Sequence, residues 1–237
     1  IGYSRFTSSK NDVQASVLTF VPMNDTCEVS QLKLTNNSSE EKTLSVFSYV
    51  EWCLWNADDD SRNFQRNYST GEVEVVGSTI FHKTEYRERR NHYAIYSVNA
   101  EIAGFDTIRE AFLGSYRGAY EPEAVEKGAC TNSMASGWQP IASHQLNITL
   151  APGETKSYVF VLGYIENPEE EKWESYGVIN KTRAYAMLDR YKTDADVEKA
   201  FAELNDYWKK LLSKYTVKSS NDKVDRMVNI WNQYQCM

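Results

Sequence analysis

The chain has 237 residues, 41% of them hydrophobic, which is enough for one large β domain or two ordinary ones around a buried core. Its net charge of −7 is spread over both signs, with no basic run longer than "RERR" at 87–90, so it has no electrostatic footprint for DNA, RNA or an anionic membrane. A neutral partner is expected, and the 16 tyrosines suit either thick sheet cores or surfaces that stack on sugar rings.

In chain order, "DVQASVLTFVP" from Asp12 and "CEVSQLKLT" from Cys27 read as strands joined by the turn "MNDT". The run "KTLSVFSYVEWCLW", Lys42 to Trp55, is apolar on both alternating faces and predicts a central strand covered on both sides. Next come "EVEVVGSTIFHKTEY" and "NHYAIYSVNA", again strand-like, then a stretch from Gly104 to Pro140 with little periodicity. "SHQLNITL", the Pro152-Gly153 turn and "TKSYVFVLGYI" predict a closing hairpin, which makes about eight strands in a large sandwich.

The character changes at Asn167-Pro168. "EEEKWESYGVINKTRAYAMLDRY", Glu169 to Tyr191, reads as helical, acidic at its start and basic toward its end. Thr193 is placed to cap a further helix on which Val197, Ala200, Phe201, Leu204, Trp208, Leu211 and Leu212 form one apolar stripe. Val224, Met227, Val228, Trp231 and Tyr234 predict another helix, and the absence of a start methionine and of a closing cap makes both ends look cut.

Chemistry is sparse. Cys27, Cys53, Cys130 and Cys236 form no C-x-x-C pair, and with no signal peptide in view they predict reduced thiols in a cytoplasmic protein without a zinc site. His82, His92 and His144 stand in no catalytic or metal-binding context and read as sheet histidines. The stretch "NADDDSRNFQRNYSTGE", Asn56 to Glu72, is the unusual one. Asp58, Asp59 and Asp60 could supply one of the two carboxyl groups that glycoside chemistry uses, but three adjacent aspartates among Asn, Ser and Arg more often shape a solvated loop. Gln65, Arg66 and Tyr68 offer an amide, a guanidinium fork and an aromatic face, the set that engages a sugar's hydroxyl pairs and its apolar side. The competing expectation is that Arg62 and Arg66 pair with the aspartates and hold the loop.

The runs "EWCLWNADDDSRNFQRNYSTGEVEV", "IFHKTEYRERRNHYAIYSVNAEIAGFD", "GWQPIASH", "EEEKWES" and "VNIWNQYQCM", in this order over the whole chain, closely resemble the cellobiose phosphorylases of glycoside hydrolase family 94. The resemblance implies a mainly β fold: a large antiparallel β-supersandwich over 1–166, incomplete at its N-terminus, then a helical linker over 167–215. Residues 216–237 would then begin the first helix of an α/α-barrel catalytic domain. It implies reversible phosphorolysis of cellobiose with inversion, to α-glucose 1-phosphate and glucose. Phosphate is itself the nucleophile, so one general acid suffices. In the family that acid is a barrel aspartate that no position here matches, so this chain is expected to hold no catalytic residue and to be inactive alone.

By the same resemblance Gln65 and Arg66 hydrogen-bond the acceptor glucose and Tyr68 lies against it, at a site shared with the barrel. Where the family usually has phenylalanine, Tyr68 keeps the stacking face and adds a hydroxyl. No cofactor or metal is implied beyond inorganic phosphate as co-substrate, and the expected assembly is a homodimer without nucleic acid or membrane. Two other readings stand beside this one. The first is a self-standing, non-catalytic carbohydrate-binding or assembly module; the second is a hydrolase using Asp58 to Asp60, for which no facing carboxylate is identified.

Overall fold

The computed structural model describes residues 1–53, 58, 62, 70–83, 91–138 and 140–235. The first strands are β1 (Tyr3–Lys10), β2 (Val13–Phe20), β3 (Cys27–Asn36), β4 (Lys42–Phe47) and β5 (Val50–Glu51). They are followed by β6 (Thr70–Val76), β7 (Thr79–His82), β8 (His92–Val98), β9 (Gly104–Ile108) and β10 (Ser136–Trp138). The last are β11 (Pro140–Leu150), β12 (Thr155–Glu166), β13 (Trp173–Ser175) and β14 (Val178–Ile179). Eight form one large antiparallel sheet in the order β1-β2-β3-β12-β8-β7-β6-β10. In a smaller sheet β4 and β5 pair with one edge of β11 and β9 with the other, and β13-β14 is a separate hairpin.

The predominance of strands matches the fold expected from the sequence, and the sheets stack as a sandwich. Strand β8 is buried over six consecutive residues, Tyr93 to Val98, because its alternate side chains enter two cores. Ala94, Tyr96 and Val98 join Phe160, Leu146 and Ile148 between the sheets. Tyr93 and Ile95 face outward with Val159, Val161 and Ile165, and there they meet the helical segments. These are α3 (Thr182–Leu188), which contributes Ala184 and Met187, and α4 (Asp194–Leu212), which contributes Val197 and Leu204. The far side of the small sheet is covered by α1 (Arg109–Leu113) and α2 (Glu123–Lys127), with Phe112, Leu113 and Ala124 packed on Ile141, Phe47 and Tyr49. The order of layers is helix, large sheet, small sheet, helix.

Several sequence expectations are corrected. Lys42 to Trp55 is not one central strand. It breaks at Ser48, whose hydroxyl accepts from the His144 N–H at 2.9 Å in place of a ladder carbonyl, and β4 and β5 lie end to end in one register along one edge of β11, which holds the central place with β9 on its other edge. The two-faced pattern itself holds, since Leu44, Val46, Val50 and Trp52 enter the inter-sheet core while Phe47 and Tyr49 face Phe112. The Pro152-Gly153 turn does not close a hairpin. Strand β11 belongs to the small sheet and β12 to the large one, where it pairs with β3 and β8. Asn36 directs that crossing: its Nδ2 donates to the carbonyls of Leu150 and Ala151 at 3.0 and 3.2 Å, and its own carbonyl accepts from Gly153 N at 2.9 Å.

The stretch Gly104 to Pro140 is more ordered than its lack of periodicity predicts. Buried Asp106 in β9 accepts from the backbone N–H and hydroxyl of both Thr131 and Ser133, which fastens the segment before β10. Residues 169–191 are not one helix either. They form a 3₁₀ turn at Glu169–Glu171, the β13–β14 hairpin, α3 and a second 3₁₀ turn at Asp189–Tyr191. "ESYG" is a turn sequence, and Gly177 takes φ 71°, a left-handed value that stops the helix. Strand β1, which carries no apolar alternation and is exposed at every residue, had no sequence signal.

Helix α4 forms as expected. Thr193 accepts from Asp196 N while Asp196 Oδ2 accepts from Thr193 N, a complete capping box. Beyond it lie α5 (Asp222–Arg226), capped by Asn221, a π turn at Met227–Trp231 and α6 (Asn232–Gln235). Replacing Thr193 by Ala should lower stability by about 1 kcal/mol, read as a shift of the urea unfolding midpoint at unchanged slope.

Candidate functional site

Three connections leave the same end of the large sheet. Residues 52–69 run from β5, where Val50 and Glu51 pair with Ala142 and Ile141 of the small sheet, to β6, where Thr70 pairs with Trp138 at the edge of the large one. Residues 83–91 join β7 to β8 at this end, since Lys83 N donates to Glu72 O at 3.1 Å. The chain that follows β12 starts here too: Glu166 pairs with His92, and Asn167 N donates to Asn91 O.

Gln65, Arg66 and Tyr68 lie outside the described residues, as do Asp59 and Asp60. Of the stretch 56–69, Asp58 and Arg62 are described, and they form a solvent-exposed ion pair, Arg62 Nε to Asp58 Oδ1 at 2.8 Å. That contact is the loop-holding one expected of these two residues.

What the described residues do define is how the loop's two ends are held. On the β5 side, Glu51 Oε1 accepts from Tyr49 Oη at 2.5 Å and from Arg109 Nε at 2.9 Å, and the Tyr49 ring stacks on Phe112 with centroids 5.1 Å apart. Burial, reinforced by the Glu51 carboxylate, pushes the Tyr49 phenol up, so it stays a hydrogen-bond donor. Trp52 is buried against the His82 ring at 5.4 Å.

On the β6 side sits a desolvated charge cluster. Lys181 Nζ meets Glu74 Oε2 at 2.5 Å and donates to Ile179 O at 3.0 Å, with its ammonium 5.3 Å from the Phe81 ring centroid. Lys83 Nζ lies 3.3 Å from Glu74 and 3.4 Å from Glu72, and it donates to Gly177 O in the hairpin turn. Glu74 Oε1 also accepts from Ile179 N at 2.8 Å. Burial alone would raise the Glu74 carboxyl; Lys181, the Ile179 N–H and Lys83 outweigh it and hold it below the usual carboxylate range.

Sequence reasoning did not find this cluster. In "EVEV" the glutamates alternate with valines, which reads as a solvent face, but the linker hairpin folds over that face and supplies the lysine. Glu51 and Arg109 are 58 residues apart and gave no local signal either.

The three histidines lie on strands as expected. His144 and His82 are buried, and burial lowers both to about 4, so they are neutral at physiological pH. His144 Nδ1 shares a hydrogen bond with Ser48 Oγ, and His92 Nε2 lies 3.5 Å from Glu166. Cys27, Cys53 and Cys130 form no disulfide, and burial raises the Cys27 and Cys130 thiols to about 12. Among the described residues no group of His, Cys, Asp and Glu is arranged to hold a metal, and no helix is long and apolar enough to cross a membrane.

The fold defines a large β-supersandwich with helical segments packed on it. The chain belongs to glycoside hydrolase family 94: residues 1–194 match its supersandwich domain and residues 207–237 match its catalytic domain. It is 29% identical to an N,N'-diacetylchitobiose phosphorylase from Vibrio proteolyticus over 99% of this chain and 28% of that protein. A solabiose phosphorylase from Paenibacillus borealis is 25% identical over 100% of this chain and 29% of its own length. The cyclic beta-(1,2)-glucan synthase NdvB of Rhizobium meliloti (strain 1021) is 26% identical over 100% of the chain and 8% of the synthase. The chain thus spans less than a third of each of these relatives. A solved structure described as a kojibiose phosphorylase from the human microbiome shares the fold, with a TM-score of 0.51, 11% identity, and coverage of 86% of this chain and 23% of that one.

Replacing Glu74 by Gln leaves Lys181 buried without its counter-charge and should cost about 1.5–3 kcal/mol at neutral pH. A carboxyl lowered by folding stabilises fully above its ordinary value of 4.5 and ceases to as pH falls through the lowered value. The difference between wild type and variant in urea unfolding should therefore be largest at pH 7 and shrink steadily below about pH 4.5.

Proposed function

We propose that the chain is the sandwich-and-linker part of an inverting disaccharide phosphorylase, in which phosphate displaces the sugar leaving group directly and the general acid belongs to the catalytic domain. The observation that carries this reading is the pair of family matches in sequence, supersandwich over 1–194 and catalytic domain over 207–237, on one continuous fold. Named phosphorylases among the relatives, for N,N'-diacetylchitobiose and solabiose, support the reaction type.

Cellobiose is the proposed substrate, giving α-glucose 1-phosphate and glucose, with inorganic phosphate as co-substrate and neither metal nor further cofactor. Gln65 and Arg66 are proposed to bind the acceptor glucose through its hydroxyls, with Tyr68 against its face. The clamps at Glu51–Arg109 and Glu74–Lys181 support this assignment, because they fix the described residues at both ends of the loop that carries the three. A homodimer in the cytoplasm completes the proposal. The apolar side chains of Val224, Met227, Trp231 and Tyr234 remain exposed in the region matched to the catalytic domain, which favours further packing there over a self-standing module.

The test is phosphate-dependent release of glucose 1-phosphate from cellobiose, N,N'-diacetylchitobiose and solabiose. It is run with this chain alone and with the chain extended through a complete catalytic domain. The extended protein should act and this chain alone should not. In the synthetic direction Arg66→Ala should raise the KM for the acceptor sugar by about tenfold to a hundredfold, the worth of a charged hydrogen bond to a hydroxyl, and leave the KM for glucose 1-phosphate near wild type. Activity of the isolated chain would refute the assignment of the chemistry to the catalytic domain, and preference for either of the other two disaccharides would replace cellobiose as substrate.

A further inference from the structure

Helix α4 bridges the two family matches, which end at residue 194 and begin at residue 207. It spans about 28 Å at 1.5 Å per residue. Whatever fixes its first turn therefore fixes the direction in which the catalytic region leaves the sandwich.

The fixing occurs at Asp194, the first helical residue. Gln31 of β3 donates from Nε2 to Asp194 Oδ1 at 2.7 Å, and Ser157 of β12 donates its hydroxyl to the same oxygen, also at 2.7 Å. Register pairs Gln31 with Val159, so Gln31 and Ser157 lie diagonally on one face of adjacent strands, the face that the helix covers. Farther along, Phe201 meets Tyr3 of β1 edge-on at 5.0 Å, and the Trp208 indole lies so close to Gly2 that a Cβ there would come within 2.4 Å of it. The helix crosses from the middle of the sheet to its edge mainly on apolar contacts, with a half-buried charge-assisted clasp at its start and an exposed Glu198–Lys33 pair beyond it.

We propose that Asp194 is a positioning residue for the phosphorylase reaction: it holds α4, and the catalytic region that starts on it, at a fixed angle to the sandwich. The inference rests on the function proposed above. Apolar contacts are non-directional and allow a helix to slide and roll over a sheet. Hydrogen bonds from two neighbouring strands to one carboxylate oxygen fix both register and roll, and the acidic group at the helix N-terminus is favoured by the helix dipole. An active site assembled from both domains needs that angle held, because a misplacement of about 1 Å costs as much as a hundredfold in rate.

Two measurements test the proposal. Amide hydrogen exchange of this chain should show Asp194→Ala speeding exchange in the first turns of α4 by about tenfold, the worth of one hydrogen bond to a charged group, while β8 and β12 keep their protection. Asp194→Asn, whose amide oxygen still accepts, should restore most of it, and Glu198→Ala, which removes only the exposed pair with Lys33, should change nothing. In the protein with a complete catalytic domain, Asp194→Ala should raise the KM for the disaccharide by about tenfold while the KM for phosphate stays near wild type.

Unchanged exchange in Asp194→Ala, or equal acceleration of helix and strands, overturns the clasp whatever the enzyme's activity. A proportional loss of activity with both KM values unchanged marks a merely structural role and overturns positioning. A wild-type protein inert toward disaccharide and phosphate overturns the proposed reaction instead, and the exchange data then judge the clasp by themselves.

Discussion

The structure depends on one constraint: the middle strands of the large sheet are apolar on both faces and must be covered on both. The small sheet covers one side. On the other side the cover comes from chain that follows β12: Ile179 of the β13–β14 hairpin, then Ala184, Met187, Tyr191, Val197 and Leu204. Gly163 marks how close this cover comes, for a Cβ there would lie 2.7 Å from Met187 Sδ and 2.8 Å from Ile95 Cγ1. The segment from Ile179 to Leu204 thus supplies half of a core, and its removal would expose Phe81, Tyr93, Ile95 and Val161 to water.

The same constraint explains the charge cluster at the loop end of the sheet. Once the linker hairpin folds over β6 and β7, Glu74 loses its solvent and needs a partner within the protein. Lys181, Lys83 and the Ile179 N–H fill that need and cross-link hairpin, strand and linker at one point. Asp25 does the same work at another point: its carboxylate accepts from Arg190 and Tyr191 and ties the β2–β3 turn to the second 3₁₀ turn. Pairs of this kind contribute little net stability against an apolar replacement, but they penalise every misaligned docking with a buried unpaired charge. Apolar cover supplies the driving force, and the polar pairs select one arrangement.

How much could be read from the sequence follows from where each signal resides. The strands β2, β3, β8 and β12 were legible because their apolar alternation is local, and α4 because Thr193 and its stripe announce it within a few residues. Sheet membership was not legible. The Pro152-Gly153 turn has hairpin composition, but its two strands pair in different sheets, and the side chain of Asn36, more than a hundred residues away in sequence, holds the carbonyls where they part. The 169–191 segment misled for the opposite reason, because its composition favours a helix while Gly177 and the demand for cover at Ile179 produce a hairpin first. At the candidate site, Gln65, Arg66 and Tyr68 draw attention through their local composition and lie outside the described residues, whereas the residues at the loop's ends carry no such signal because Glu51 and Arg109, like Glu74 and Lys181, meet only through the tertiary fold.

The protonation behaviour of the sandwich argues for scaffold rather than chemistry. A general acid or base works best with a pKa near the operating pH. The buried groups here move away from it: His82 and His144 fall to about 4, Cys27 and Cys130 rise to about 12, and the Tyr93 phenol is pushed up by burial while it donates to Asn180 O. Each is held uncharged near neutral pH. Buried Lys181 has the half-buried Glu74 as its counter-charge, and buried Asp106 is held by the N–H groups and hydroxyls of Thr131 and Ser133. A domain arranged in this way is suited to holding its loops and the helical segments packed on it in place.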